Sequence, residues 1–314
     1  MGVVYAAFAY IAWGFFPLYF DALGSVQAIQ VIDHRITWSF VALAAVVLVR
    51  REGRGLLRAL TPRVVGTYLL AALLLAVNWY VYVWAVQAGH VVETSLGYFI
   101  NPLVSVLLGV VILRERLRPL QWLPIGLAAA GVAFLAFSYG NIPWIALALA
   151  GSFGGYGLVK KLAPLTSLYG LTIETALLFP LALVYLVATE AAGTAAFGHQ
   201  GAGMDVMLML AGPITVVPLL AFASGARRVT LTTLGLLQYF APTLQFLIGV
   251  VVLHEAMTPV HLVGFVVIWI ALALFSAEGL AARRRAGASA VGGSAGSELE
   301  AAAETPDVAA LALD

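Results

Sequence analysis

The feature that most constrains this chain is a series of long apolar runs separated by short polar breaks. A helix needs about 20 mostly apolar residues to cross a bilayer. Runs of roughly that size fall at 3–20, 31–49, 64–87, 93–113, 119–138, 142–159, 166–188, 205–225, 230–253 and 259–277, ten in all. A soluble core could not absorb them. Hydrophobic residues make up 62% of the chain and charged residues 10%, against about 45–50% and about 25% in soluble domains. The expectation is an all-α membrane protein of ten transmembrane helices.

The basic residues set an orientation. With the N-terminus in the cytoplasm, the loops on that side carry Arg50, Arg51, Arg54, Arg58 and Arg63, then Arg114, Arg116 and Arg118, then Lys160 and Lys161, then Arg227 and Arg228. The C-terminal segment carries Arg283, Arg284 and Arg285, so 15 of the 16 Lys and Arg are accounted for. The outer loops carry none. The positive-inside rule then places both termini in the cytoplasm of a multi-pass cell-membrane protein. The remaining basic residue, Arg35, falls within the second run. Residues 1–20 lack a basic leader before the apolar stretch, so the first run is expected to be retained as a helix. Residues 281–314, rich in Ala, Gly, Ser and Glu, read as a disordered cytoplasmic tail. A net charge of +1 leaves no basic excess for nucleic acid. The absence of cysteine removes disulfides, thiolate catalysis and Cys-ligated metal.

The two halves repeat. At an offset of 140 residues, Pro102, Leu107, Gly109, Val110, Val111, Leu113, Glu115 and Pro119 recur as Pro242, Leu247, Gly249, Val250, Val251, Leu253, Glu255 and Pro259. Trp13-Gly14 corresponds to Phe153-Gly154. Residues 1–138 and 139–280 thus read as two five-helix units. Five is odd, so the second unit must cross the bilayer upside down. The loop charges agree: RERLRP carries three Arg, whereas its counterpart HEAMTP carries no Lys or Arg. Inverted repeats let two halves rock about a midplane site, the arrangement of many secondary transporters. The alternative is that duplication is merely how a large membrane protein arises.

Several strings carry a family resemblance: AYIAWGFFPLYF (9–20), DHRITWSF (33–40), NWYVYVWAV (78–86), ETSLGYFINPL (93–103), SFGGYGLVKK (152–161), IETALLFPLA (173–182) and TLGLLQYFAPTLQF (233–246). Together they resemble the RarD branch of the EamA family in the drug/metabolite transporter superfamily, over residues 3–280. The resemblance implies ten helices in two EamA repeats and movement of small molecules across the membrane. One position departs from the family pattern. Gln30 stands where Glu is usual, and the nearby acid is Asp33.

Polar residues inside spans are costly and therefore candidates for function. In the fourth run Thr94, Tyr98, Asn101 and Ser105 share a face, and in the ninth Gly235, Gln238, Pro242 and Gln245 do. Trp13, Asn78, Trp79, Tyr98, Asn101, Tyr156, Gln238 and Tyr239 are the candidate substrate-binding set. They would supply aromatic faces and amides to a central cavity. The competing reading is interhelical hydrogen bonding. Arg35, Glu93 and Glu174 are candidates for gating or coupling. Arg35 and Glu93 are expected to pair at the outer mouth. Glu174 is expected toward the cytoplasm, with Lys160 as partner or as a proton-coupling acid. No cofactor or metal site is expected, because no His pair has ligand spacing on one helix face. The partners are then a small-molecule substrate, the lipid bilayer and a coupling proton, with a homodimer left open. A secondary transporter, expected to export an amphipathic or amino-acid-like molecule, fits best. A membrane-embedded enzyme acting on lipid would want its carboxylates and histidines clustered, and here they are dispersed.

Overall fold

The computed structural model describes residues 1–87, 91–138 and 144–252 and, in the last run, 259, 262–264, 266–267, 269–271, 273–274 and 277–278. The expected tail over 281–314 and the side chain of Glu93 lie outside the described residues. Every regular element among the described residues is a helix. That suits a chain in lipid, where a helix satisfies its own backbone groups. The order is α1 (Gly2–Gly14), α2 (Phe16–Ala22), α3 (Ala28–Val49), α4 (Gly53–Ala59), α5 (Pro62–Gln87), α6 (Val91–Val111), α7 (Trp122–Ser138), α8 (Trp144–Leu162), α9 (Ser167–Ala191), α10 (Ala202–Ala226), α11 (Leu231–Leu237) and α12 (Phe240–Val251). Among the described residues, five helices are long and apolar enough to cross a membrane: Gly2–Ala22, taking α1 and α2 together, Ala28–Val49, Pro62–Tyr82, Ser167–Ala191 and Ala202–Ala226. Shorter apolar helix covers Gly97–Val111, Pro119–Phe134 and Leu262–Ala271. The outer faces are greasy. On α9, Leu181, Val184 and Val187 are 74%, 68% and 60% exposed, a surface that only lipid or another protein would leave uncharged.

Two of the apolar runs are not single helices. The first breaks at Phe15, between α1 and α2. Pro17 has no N–H to offer the carbonyl of Trp13; Gln245 Nε2 donates to that oxygen instead, at 3.1 Å. The ninth run, read as one segment over 230–253, breaks at Gln238–Tyr239 between α11 and α12. Pro242 likewise lacks the donor for the carbonyl of Gln238, and Ala241 N takes its place at 3.3 Å, tightening the chain locally.

The most extensive helix pairings all join the first half of the chain to the second: α6 with α8 and α11, α3 with α9 and α10, α1 with α10 and α12, and α5 with α8 and α9. Helix pairings within one half are less extensive. Close approach is built in. A Cβ on Gly235 would lie 2.7 Å from the carbonyl oxygen of Pro102, so only glycine lets α11 seat against α6. Glu115, part of the repeated motif, ties the halves at one end. Its carboxylate accepts from Leu231 N at 2.6 Å and from Thr232 N and Oγ1 at 3.0 and 2.9 Å. It thereby satisfies donors that the first turn of α11 leaves free. Gln30 works similarly on the α9–α10 connection. Its Nε2 donates to Thr194 O and its Oε1 accepts from Ala196 N, each at 2.9 Å. A carboxylate could make only the second of these bonds.

Candidate functional site

The helix breaks and the cross-half pairings converge on one cavity with an empty volume of about 860 Å³, open solvent at its mouth included. From α1 and α2 come Tyr10, Trp13, Phe16, Pro17 and Phe20; from α3, Arg35; from α5, Leu75, Asn78, Trp79 and Tyr82. Helix α6 adds Tyr98 and Asn101, α8 adds Phe153, and α10 adds Leu219. The α11–α12 break contributes Gln238, Ala241, Pro242 and Gln245. The walls are aromatic, with a few amides and one guanidinium. None of the described lining residues is a carboxylate.

Six of the eight candidate binding residues line this space: Trp13, Asn78, Trp79, Tyr98, Asn101 and Gln238. Their hydrogen bonds divide them. Asn78 Nδ2 donates to Leu149 O at 3.0 Å and to Ser152 Oγ at 3.1 Å, so this amide also fastens α5 to α8. The side-chain oxygen of Gln238, Oε1, accepts weakly from Ser105 Oγ, at 3.4 Å. Asn101 Oδ1 is buried without a partner. Tyr98 meets Tyr82 edge to face, centroids 5.8 Å apart.

The other two lie outside the lining. Tyr156 is fully buried behind the cavity, its ring stacked on Phe222 with centroids 5.8 Å apart. Its hydroxyl donates to Glu174 Oε2 at 3.1 Å. Tyr239 is buried against Phe99, to whose carbonyl its hydroxyl donates at 3.4 Å. Both residues stand on the sides of α8 and of the α11–α12 break that face neighbouring helices. Periodicity alone cannot tell a cavity face from a helix-packing face in a chain this apolar.

Arg35 is the only charged residue among the described lining residues. Its Nε donates to Thr215 Oγ1 at 2.9 Å. The guanidinium lies 4.6 Å from the ring centroid of Trp79, 5.3 Å from Phe20 and 5.6 Å from Phe16. No carboxylate among the described residues pairs with it. Glu174 is elsewhere, beside Lys160. Lys160 Nζ sits 2.6 Å from Glu174 Oε1, and both side chains are buried. A smaller pocket has an empty volume of about 300 Å³, open solvent included. It is lined by Glu174 and Thr215 and shares Leu75, Trp79 and Leu219 with the larger one.

Sequence reasoning passed over Phe16, Phe20 and Thr215. Thr215 is a hydroxyl within a long apolar run, a signal that polarity inside a span could have flagged. The two Phe residues carried no signal, because phenylalanine is as common against lipid as in a cavity.

Comparison with known proteins adds the following. The sequence profile described as the EamA-like transporter family matches residues 1–137. An uncharacterized transporter YojE of Bacillus subtilis is 46% identical over 279 residues, covering 88% of this chain and 93% of that protein. Protein RarD of Streptomyces exfoliatus is 44% identical over 307 residues, covering 97% and 94%. Protein RarD of Escherichia coli is 40% identical over 285 residues, covering 90% and 96%. One crystal structure aligns with a TM-score of 0.65 over 87% of this chain and 96% of its own, at 20% identity, a likeness of fold.

Proposed function

The chain belongs to the EamA-like transporter family, in its RarD branch, and from that premise we propose that it is a secondary transporter that exports a small organic molecule by alternating access through the aromatic cavity. It is a multi-pass membrane transporter; substrate, direction and mechanism are what the proposal adds. The observation that carries it is the composition of the cavity wall, to which helices of both halves contribute. A site shared by two halves changes its exposure when the halves rock.

We assign ten crossings in two inverted repeats, 1–138 and 139–280, with both termini in the cytoplasm of the cell membrane. The helix pairings support this. Under the 140-residue offset α1 maps to α8, α3 to α9, α5 to α10 and α6 to α11–α12. The pairings α1–α10 and α5–α8 then become equivalents, as do α3–α10 and α5–α9, and α1–α12 and α6–α8. The pairs α3–α9 and α6–α11 map onto themselves, as elements on a pseudo-two-fold axis must.

Orientation is tested with single cysteines in this Cys-free chain. His199, exposed on the α9–α10 connection, is expected to react as H199C with an impermeant thiol reagent from outside intact cells. Arg54, on α4, is expected to react as R54C only in inside-out vesicles. Labelling of position 199 from the cytoplasmic face alone contradicts the assignment.

The cavity is tested after a thermostability screen of the purified protein with metabolites and antibiotics. For the compound that stabilises most, efflux from preloaded proteoliposomes is expected to fall at least about tenfold in Asn101→Leu and Gln238→Leu, a loss of roughly 1.4 kcal/mol or more of interaction. Expression and helix content should stay unchanged. Full efflux in both variants would mean that these amides only join helices.

A further inference from the structure

Resting on the cavity reading above, we infer that the transported molecule carries a carboxylate on an aromatic or apolar body, and that Arg35 is its counter-charge.

The argument begins with cost. A buried guanidinium without a carboxylate is destabilising, and membrane proteins retain intramembrane cations where a partner arrives or a function requires them. Arg35 is only 8% exposed. One of its nitrogens is held by Thr215 Oγ1, and its flat faces are shielded by Trp79, Phe20 and Phe16. Cation–π contacts offset part of the desolvation. They leave the remaining N–H donors at the guanidinium edge without a carboxylate among the described residues. Arg35 is part of the cavity wall. A fork of N–H donors in a water-poor, aromatic-walled space matches a carboxylate bidentately.

The aromatic shell does a second job. It fixes the plane of the guanidinium before the ligand arrives, so less side-chain freedom is lost on binding. It also offers ring faces to an apolar body. Two sources share this chemistry: a plain organic acid and an amino acid. For the second, the unpartnered Asn101 Oδ1 is an acceptor for the ammonium group. For the plain organic acid direction fits as well, because an inside-negative membrane potential drives an anion outward.

The test uses the full-length protein in nanodiscs and four probes with one aromatic body: 3-phenylpropionate, phenylalanine, 3-phenylpropanamide and phenethylamine. Affinity is read by calorimetry and by thermal stabilisation. The carboxylates are expected to bind about 10- to 100-fold more tightly than the neutral amide, the range for a charge-assisted hydrogen bond. In Arg35→Gln that ratio is expected to collapse toward one, and in Arg35→Lys to be retained in part. Unliganded helix content and melting temperature check that each variant folds. Thr215→Val, which frees the Nε but keeps the charge, provides a second variant and should lower the ratio without abolishing it. Tighter binding of phenylalanine assigns an amino acid; tighter binding of 3-phenylpropionate assigns an organic acid.

Equal binding of carboxylate and amide overturns the inference, as does a preference for the amine, binding by neither carboxylate, or an Arg35→Gln ratio like the wild type. Equal binding is also what a permanent Arg35–Glu93 pair would give. Any of these results leaves the cavity reading intact, since that reading fails separately, on full efflux in Asn101→Leu and Gln238→Leu.

Discussion

Glu174→Ala is expected to destabilise the protein by about 3–5 kcal/mol, the cost of leaving a buried charge without its partner. The Lys160 ammonium loses its carboxylate at 2.6 Å, and both side chains are at most 3% exposed. Little else compensates, since the rings of Tyr68 and Tyr156 lie 5.5 and 5.7 Å from the ammonium. The Tyr156 hydroxyl also loses its acceptor at 3.1 Å. Lys160→Met is expected to be similarly severe, because it strands the carboxylate. The double variant Lys160→Met with Glu174→Leu should recover most of the loss, since an apolar pair of similar volume carries no desolvation cost. Reversible unfolding in mixed micelles measures all three. A double variant no more stable than the singles would mean that the pair is not coupled. The same double variant separates structure from coupling. If Glu174 carries a proton during transport, the stabilised double variant should exchange substrate down its gradient but fail to accumulate it. Normal accumulation by that variant rules the coupling role out.

Gly212→Val is expected to cost about 3 kcal/mol, the upper end of what overpacked contacts usually cost. A Cβ at this position would lie 2.4 Å from the carbonyl carbon of Trp38 and 2.6 Å from its carbonyl oxygen. Backbone cannot turn aside as a flexible side chain can, so α3 and α10 must separate. Ser39 Oγ donates to the carbonyl of Gly212 at 3.3 Å across the same contact, and Thr215 holds Arg35 less than one turn further along. The variant should therefore lose transport together with stability. Gly151→Ala is the control: a Cβ there meets nothing within 4 Å. It should be neutral or stabilising by up to about 1 kcal/mol, the helix-propensity gain of alanine over glycine. Melting temperatures of the two variants, side by side, decide the point.

Much of the helix layout was legible from residue type alone, because crossing lipid is a local property. About 20 apolar residues in a row suffice, whatever lies elsewhere in the chain. The same logic singled out Arg35 and Glu174, since a charge within such a run is costly wherever it falls. The helix breaks needed more. Pro17 and Pro242 were visible in the sequence, but the ninth run was read as continuous, and nothing local indicated that Gln245 would replace the donor that Pro17 lacks. Gln245 and Trp13, whose carbonyl it bonds, are far apart in sequence and meet only in space.

Tertiary structure alone decided which face of each helix lines the cavity. In water, a polar stripe marks the outside of a helix and an apolar stripe the core. In lipid the solvent is as apolar as the core, so that contrast disappears and the packed face carries no reliable periodic mark. Hence Tyr156, which shares its face of α8 with Ser152 and Lys160, turned out to lie behind the cavity, bonded to Glu174. Thr215 and Phe20, which attracted no notice in the sequence, came to surround Arg35. The sequence determined that apolar helices would have to pack and where charge would have to be accommodated. Which partner each charge received depended on contacts between helices that are up to 180 residues apart, as in Arg35 with Thr215.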